Sequence, residues 1–234
     1  MNSNANKEIA VNFTVDNEDI RLTQGIVSEY LAGGAQITMP EFKLFTSLCK
    51  ARGLNPFLKE AYIIKYGSAP AQIVVGKDAI LKRAILNPDF NGREQGIIVV
   101  NEHNETTEKN GTFMLESETL VGGWAKVYRK NWDYPVYVTV GFSEVAQKKR
   151  DGSLNSQWAS KGATMVEKVA LVRALREAFV ENAGGMYDAD ELSANDSIID
   201  VEPTQVITPQ NDTLESVEAV ATTDDNNVIN IADL

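Results

Sequence analysis

The sequence contains one cysteine and one histidine among its 234 residues. The single thiol, Cys49, excludes an intramolecular disulfide and every zinc or iron–sulfur site that needs several cysteines. The single histidine, His103, excludes a two-histidine metal site and argues against a histidine-dependent catalytic triad. We therefore expect Cys49, which lies in an apolar segment, to fill space in the core, and His103 to be a loop residue.

Long apolar runs and nucleotide-binding loops are also missing. The longest aliphatic run is Ile97 to Val100 and residues 1–7 are polar, so the sequence predicts neither a signal peptide nor a membrane span. No Gly-x-x-x-x-Gly-Lys-Ser/Thr motif is present, which argues against a phosphate-binding loop for ATP. We expect a cytoplasmic protein that requires no cofactor and does not contact membranes.

Basic residues stop at Arg176, although acidic residues continue to the end of the chain. Residues 188–234 hold twelve acidic residues and no lysine or arginine, whereas residues 1–187 hold 22 basic and 21 acidic ones. The net charge of −11 therefore hides a nearly neutral body, in which residues 126–182 have ten basic and six acidic side chains. This pattern predicts a folded core over residues 1–192 and a disordered acidic tail over residues 193–234. Its apolar end, Val228 to Leu234, is either a short docking motif or simply part of a solubilising tail.

Capping residues mark the beginnings of two predicted helices. Thr38, followed three residues later by Glu41, predicts a capping box for a helix that runs to about Arg52. Asp78 is expected to cap a second helix that runs to about Leu86.

Strands are predicted where β-rich runs alternate with turn residues. Two such runs, Tyr62 to Tyr66 and Gln72 to Val75, predict a hairpin across a Gly-Ser-Ala-Pro turn. Later runs predict an antiparallel sheet, because they are neighbours joined by short turns. Its expected strands are Gly96 to Val100, Phe113 to Leu115, Leu120 to Arg129, and Tyr134 to Val140.

The segment from Ala163 to Glu181 has neither proline nor glycine and predicts a long helix. Apolar side chains cover almost its whole circumference, so this helix should lie inside a domain or between subunits. Its cations Lys168, Arg173 and Arg176 then need anions close by, since an unpaired buried charge is costly.

Two stretches before this helix carry basic residues in patterns that suit nucleic acid. Strand alternation places Trp124, Lys126 and Tyr128 on one face, where aromatic rings either stack on bases or belong to a half-buried sheet. Further along, a basic loop from Lys148 to Ser153 leads through Lys161 to the helix with the three cations. Because the basic groups converge on one element, the pattern favours phosphate binding.

Two blocks of sequence resemble the RecT/Bet family of phage single-strand annealing proteins. Residues 48–57 (LCKARGLNPF) and 60–66 (EAYIIKY) are similar to the opening block of that family. Residues 158–179, including the helix EKVALVRALREAF, and the following 185–191 (GMYDADE) resemble its closing motif. The blocks occur in the right order, and the resemblance covers about residues 40–192.

The resemblance implies an α+β fold in which an antiparallel sheet packs on a long central helix beside a basic groove for DNA. It implies ATP-independent binding and annealing of single-stranded DNA through an annealed duplex intermediate, in rings or helical filaments within a bacterial host cytoplasm. A phage exonuclease is the implied partner, and host single-strand-binding protein is a further one. No catalytic or metal-binding residue is expected, and Mg²⁺ is at most a modulator. The candidate DNA-binding residues are Trp124, Lys126, Arg129, Lys130, Lys148, Lys149, Lys161, Lys168, Arg173 and Arg176.

The C-terminal part departs from those relatives that end in a small folded docking domain. An acidic tail could instead compete with DNA for the basic groove. Two other functions stay open at this point. Carboxylates such as Glu116 and Glu118 could hold Mg²⁺ for a nuclease, although a solvated strand face explains them as well. The other open function is a protein-binding scaffold that uses its apolar helix and has no DNA activity.

Overall fold

The computed structural model describes residues 9–192. All of these residues belong to one structural unit. The predicted acidic tail and its apolar end lie outside the described residues, so both stay predictions. Within residues 9–192 no helix is both long and apolar enough to cross a membrane.

The described chain begins with a hairpin that the sequence analysis did not predict. Strands β1 (Ala10–Val15) and β2 (Glu18–Thr23) pair antiparallel around Asp16 and Asn17. Both turn residues have positive φ angles, 49° and 67°, as the tight two-residue turns of hairpins require. A short helix α1 (Gln24–Ile26) and a π-helical turn (Val27–Leu31) follow.

Helix α2 (Met39–Arg52) begins and ends as its sequence predicts. Thr38 and Glu41 form both hydrogen bonds of the capping box, and Gly53 ends the helix in the left-handed conformation, with φ 59°. The inner face of the helix includes Cys49, which is fully buried and so fills space in the core as predicted. Burial raises the pKa of its thiol to about 12.

A 3₁₀ turn (Pro56–Leu58) leads to the predicted hairpin, whose strands β3 (Ala61–Ile64) and β4 (Gln72–Val75) pair antiparallel. Helix α3 (Lys77–Ile85) follows, but the expected cap is wrong. Gly76 occupies the cap position, and Asp78 lies in the first turn instead. The first helical amide, that of Lys77, donates to Asp188 Oδ2 at 3.1 Å, so a distant carboxylate does what Asp78 was expected to do.

Four antiparallel strands form the largest sheet, in the order β6-β5-β7-β8. They are β5 (Phe90–Val100), β6 (Thr106–Asn110), β7 (Thr119–Arg129) and β8 (Val136–Gly141). The prediction of a strand from Phe113 to Leu115 is wrong, because these residues have no regular structure. The strand in that region is the polar β6, which pairs with β5 from Val100↔Thr106 to Ile97↔Lys109. His103 is exposed in the turn before β6, as expected of a loop residue.

A short helix α4 (Phe142–Val145) leads through a loop to helix α5 (Ser156–Ala178), and α6 (Val180–Ala183) comes last. Helix α5 starts earlier than predicted, with Asn155 as its cap, and ends at Ala178 because Phe179 is not helical (φ −131°). It packs against β7 so closely that a Cβ on Gly123 would lie 2.6 Å from the carbonyl oxygen of Val166. The α+β class with antiparallel sheets is confirmed.

Candidate nucleic-acid interface

A groove of about 840 Å³ lies where four parts of the chain meet. One wall comes from the β3–β4 hairpin, another from residues 143–150, and the remainder from Asn155 and the segment after α6. We call it the loop groove, and its lining residues are Ile64, Tyr66, Gln72, Ser143, Glu144, Val145, Ala146, Gln147, Lys148, Lys149, Arg150, Asn155, Ala189, Asp190 and Leu192.

The basic side of the loop groove is a tight turn that exposes three cations, Lys148, Lys149 and Arg150. Its backbone is fixed by two hydrogen bonds: the Lys149 amide donates to Ser153 O at 2.8 Å, and the Gly152 amide donates to Lys149 O at 3.0 Å. No carboxylate of residues 9–192 lies within salt-bridge distance of these three side chains. The turn therefore offers its positive charge to a ligand.

Opposite this turn, residues 186–192 lie along helix α5 and place carboxylates on its cations. Lys168 Nζ is 2.7 Å from Asp188 Oδ1 and also contacts Asp190. Arg176 makes two bonds to Glu191, with Nη1 donating to Oε1 at 2.8 Å and Nη2 to Oε2 at 2.6 Å. The anions that the sequence analysis expected beside these cations are therefore present, although both cations are only partly buried. We call Asp188, Asp190 and Glu191 the carboxylate segment.

The third cation of helix α5, Arg173, has a different main partner. Its Nη1 donates to Glu144 Oε1 at 3.0 Å, and its Nε is 4.0 Å from Glu191 Oε2. Glu144 belongs to α4 and lines the loop groove. All three predicted DNA-binding residues in this part of α5 thus have carboxylate partners within the chain.

The pKa directions agree with these pairings. Burial alone would lower the pKa of Lys168, but its bonds to Asp188 and Asp190 outweigh burial and leave that pKa raised. Burial would likewise lower the pKa of Arg176, but its bonds to Glu191 outweigh burial, and this pKa is also raised. Asp190 is the exception, because burial raises its pKa above the ordinary value despite the bond from Lys168. Burial of Asp190 therefore opposes its charged form.

A comparison with protein-family models indicates the function class of the chain. The RecT family model matches residues 17–206, which is most of the chain. This chain belongs to the RecT family. Its function class is therefore DNA recombination through single-strand annealing, and family members bind single-stranded DNA and assemble into oligomers. No curated protein matches the chain significantly.

In this RecT-family chain, the predicted residues Trp124 and Lys126 lie on the sheet face that points away from α5. Trp124 is 3% exposed, and its Nε1 donates to Lys109 O at 3.2 Å, so little of its ring is accessible to a base. The Lys126 ammonium lies over two rings, 5.1 Å from the centroid of Trp124 and 5.0 Å from that of Tyr137. The sequence left two alternatives for these residues, and the arrangement of this face matches the half-buried sheet.

Arg129 and Lys130, at the end of β7, contact other parts of the fold. Arg129 donates to Ala178 O at 2.7 Å and lies 3.0 Å from Glu181 and 3.1 Å from Asp89. It therefore joins the end of the sheet to the end of α5. Lys130 is exposed and donates to Pro88 O at 2.7 Å.

Lys161 lies at a kink in α5, where its φ of −134° and ψ of 33° are not helical. Its side chain is exposed, and within residues 9–192 no carboxylate lies within salt-bridge distance. The next residue, Gly162, has room for no side chain because Phe142 lies against it. Lys161 is therefore available to an anion, although it does not line the loop groove.

Three residues of the loop groove that the sequence analysis did not single out are Arg150, Gln147 and Glu144. Arg150 belonged to the recognised basic loop and could have been included on that ground. Gln147 donates to the carbonyl oxygens of Ala189 and Leu192, at 3.1 and 3.2 Å, and so holds the carboxylate segment against the loop groove. Neither this contact nor the role of Glu144 has a sequence signal, since each joins residues that are distant along the chain.

Proposed function

We propose that this RecT-family protein anneals complementary single strands without ATP and that the loop groove is where it neutralises the phosphate backbone. The observation that carries the proposal is the exposed turn of Lys148, Lys149 and Arg150, which has no carboxylate partner among residues 9–192. Exposed cations beside a groove of this size suit a chain of phosphates.

Annealing in this way makes and breaks no covalent bond, so the protein needs no nucleophile. Cations on the backbone reduce the repulsion between two strands, and bases left outside the groove can find their complements. Phosphate contacts carry no base identity, so binding should depend little on sequence. Mg²⁺ then acts only as a modulator, because it screens the same phosphates.

The assembled protein extends this chemistry along a strand. If each subunit contributes a few cations, a ring or helical filament neutralises many phosphates, and the affinity falls by about 0.7 log unit per log unit of salt for each phosphate neutralised. We place this activity in the cytoplasm of a bacterial host, with a phage exonuclease supplying the single strand and host single-strand-binding protein as a further partner.

The proposal is tested by the pairing of two complementary dye-labelled oligonucleotides, without ATP, across a salt series. The full-length protein should accelerate pairing, and the acceleration should fade as salt rises. The double variant Lys148→Ala, Lys149→Ala should bind a dT oligonucleotide about 25-fold more weakly at 0.1 M NaCl, because two phosphate contacts are lost.

The matched control is Lys43→Ala, Lys50→Ala, which removes two exposed lysines from α2 that do not line the loop groove. It should bind within about twofold of the parent, since only the overall charge has changed. Equal losses in the two double variants would mean that general charge, and not the loop groove, binds DNA. A folded parent that does not accelerate pairing would overturn the proposed function.

A further inference from the structure

The four carboxylates that hold the α5 cations differ in where they lie. Asp190 and Glu144 line the loop groove, whereas Asp188 and Glu191 do not. The latter two are buried, with side chains 4% and 3% exposed. This difference separates two kinds of ion pair on the same helix.

Asp188 and Glu191 are anchored by several bonds each. Asp188 accepts from the amide of Lys77 at the start of α3 and from the amide of Asp190, both at 3.1 Å. Glu191 accepts two bonds from the Arg176 guanidinium and one from the Asp188 amide, at 3.2 Å. Losing either carboxylate would leave buried donors unsatisfied, so these pairs are part of the fold.

The side chains of Asp190 and Glu144 have much less to hold them. Within residues 9–192, the Asp190 carboxylate accepts only from Lys168, and the Glu144 carboxylate accepts only from Arg173. If Asp190 left, Lys168 would keep Asp188 at 2.7 Å, so this partly buried cation would still have a counter-ion. Both carboxylates also face the groove that we assign to the phosphate backbone.

We propose that Asp190 and Glu144 are exchangeable counter-ions, which occupy Lys168 and Arg173 until phosphates of a bound strand replace them. This inference rests on the proposed function for its biological meaning. Carboxylate and phosphate oxygens accept the same charge-assisted hydrogen bonds, so one can substitute for the other at an ammonium or guanidinium group. The exchange lowers the net affinity, because each phosphate must displace an anion, and it keeps the α5 cations satisfied when no DNA is present.

The test measures binding of a dT oligonucleotide by full-length protein carrying Asp190→Asn, across a salt series. Lys168 keeps its bond to Asp188, and the donor released from Asp190 can take one more phosphate. Binding should therefore tighten about eightfold at 0.05 M NaCl and about twofold at 0.3 M, with a salt slope steeper by about 0.7. Glu144→Gln, which frees Arg173, should change affinity in the same direction. Glu116→Gln is the control, because it removes one exposed charge outside the groove, and it should stay within twofold of the parent.

A thermal unfolding scan first establishes that each variant is folded. The inference would be overturned if both groove variants bound with the affinity and salt slope of the parent. Weaker binding by Asp190→Asn would overturn it as well, because Asp190 would then be a group that positions Lys168 for DNA. Calorimetry with inorganic tripolyphosphate separates the two proposals. Tighter tripolyphosphate binding by Asp190→Asn supports the exchange even if no variant retains single-stranded DNA, a result that would overturn only the proposed function.

Discussion

The two groups of basic residues beside the loop groove differ in what surrounds them. Lys148, Lys149 and Arg150 are exposed on a tight turn, and no carboxylate of residues 9–192 pairs with them. Lys168 and Arg176 are partly buried on α5, where the carboxylate segment neutralises them. The same residue types therefore have different roles. The first group is free to bind an anion, whereas the second group already forms ion pairs that stabilise the fold.

Replacing Arg176 by alanine tests the structural half of this comparison and should have the largest effect. The change leaves the buried Glu191 without its guanidinium partner, which should lower the free energy of unfolding by about 3 to 5 kcal/mol. Urea denaturation of the parent and the variant measures this difference. The double variant Arg176→Met, Glu191→Gln should recover part of the loss, because no buried charge remains unpaired. Normal stability with weaker binding of single-stranded DNA would instead make Arg176 a DNA contact.

The variant Glu41→Gln extends the comparison to an ion pair outside α5, in which Glu41 neutralises Lys65. Glu41 is 2.8 Å from Lys65 and accepts from the amides of Thr38 and Ala71, and although burial alone would raise its pKa, these bonds lower it to about 2. The variant should lose about 1 to 2 kcal/mol of stability at pH 7 without changing DNA affinity. Because the folded pKa is below the unfolded value of 4.5, the parent's advantage is complete above pH 4.5 and disappears as the pH falls to about 2. Urea denaturation at several pH values checks this, and an advantage independent of pH would contradict it.

Arg150→Ala tests the exposed group with a single substitution. One phosphate contact fewer should weaken binding of a dT oligonucleotide about fivefold at 0.1 M NaCl and reduce the salt slope by about 0.7, without changing thermal stability. Fluorescence anisotropy across a salt series gives both quantities. A loss of stability with an unchanged slope would place Arg150 among the structural cations.

Lys126→Ala should give the smallest change. Its ammonium lies over the rings of Trp124 and Tyr137, so its removal should cost about 0.5 to 1 kcal/mol of stability. The salt slope for single-stranded DNA should stay at the parent value, because this face lies on the other side of the sheet from α5. A slope lower by about 0.7 would show instead that Lys126 binds a phosphate.

Local signals predicted the parts of the fold that local chemistry decides. The capping box at Thr38 and the hairpin of β3 and β4 depend on residues close together in sequence. The burial of Cys49 was predictable because the segment around it is apolar. Strand β6 could not be predicted, because its residues are polar and its pairing with the apolar β5 is a tertiary contact. The cap of α3 failed for the same reason, since the carboxylate that serves it comes from Asp188.

The sequence predicted which basic residues belong to the candidate site, but it did not predict which carboxylates pair with them. Charge counting found the basic loop and the helix cations, and the apolar surroundings of α5 required anions for Lys168 and Arg176. Which anions serve them depends on the chain turning back after Gly185, so that Asp188 and Glu191 meet a helix that they follow in sequence. The resemblance to the annealing family marked both segments as one motif but carried no information that they neutralise each other.

Cys49 has a practical consequence for work on the assembled protein. It is the only cysteine, it is fully buried in α2, and its raised pKa keeps the thiol protonated at neutral pH. Maleimide dyes should therefore not react with Cys49. A cysteine introduced at any exposed position then becomes the sole site of labelling, and Cys49 need not be removed. Energy transfer between labelled subunits, or between a subunit and a labelled strand, can then follow assembly in a protein whose core is untouched.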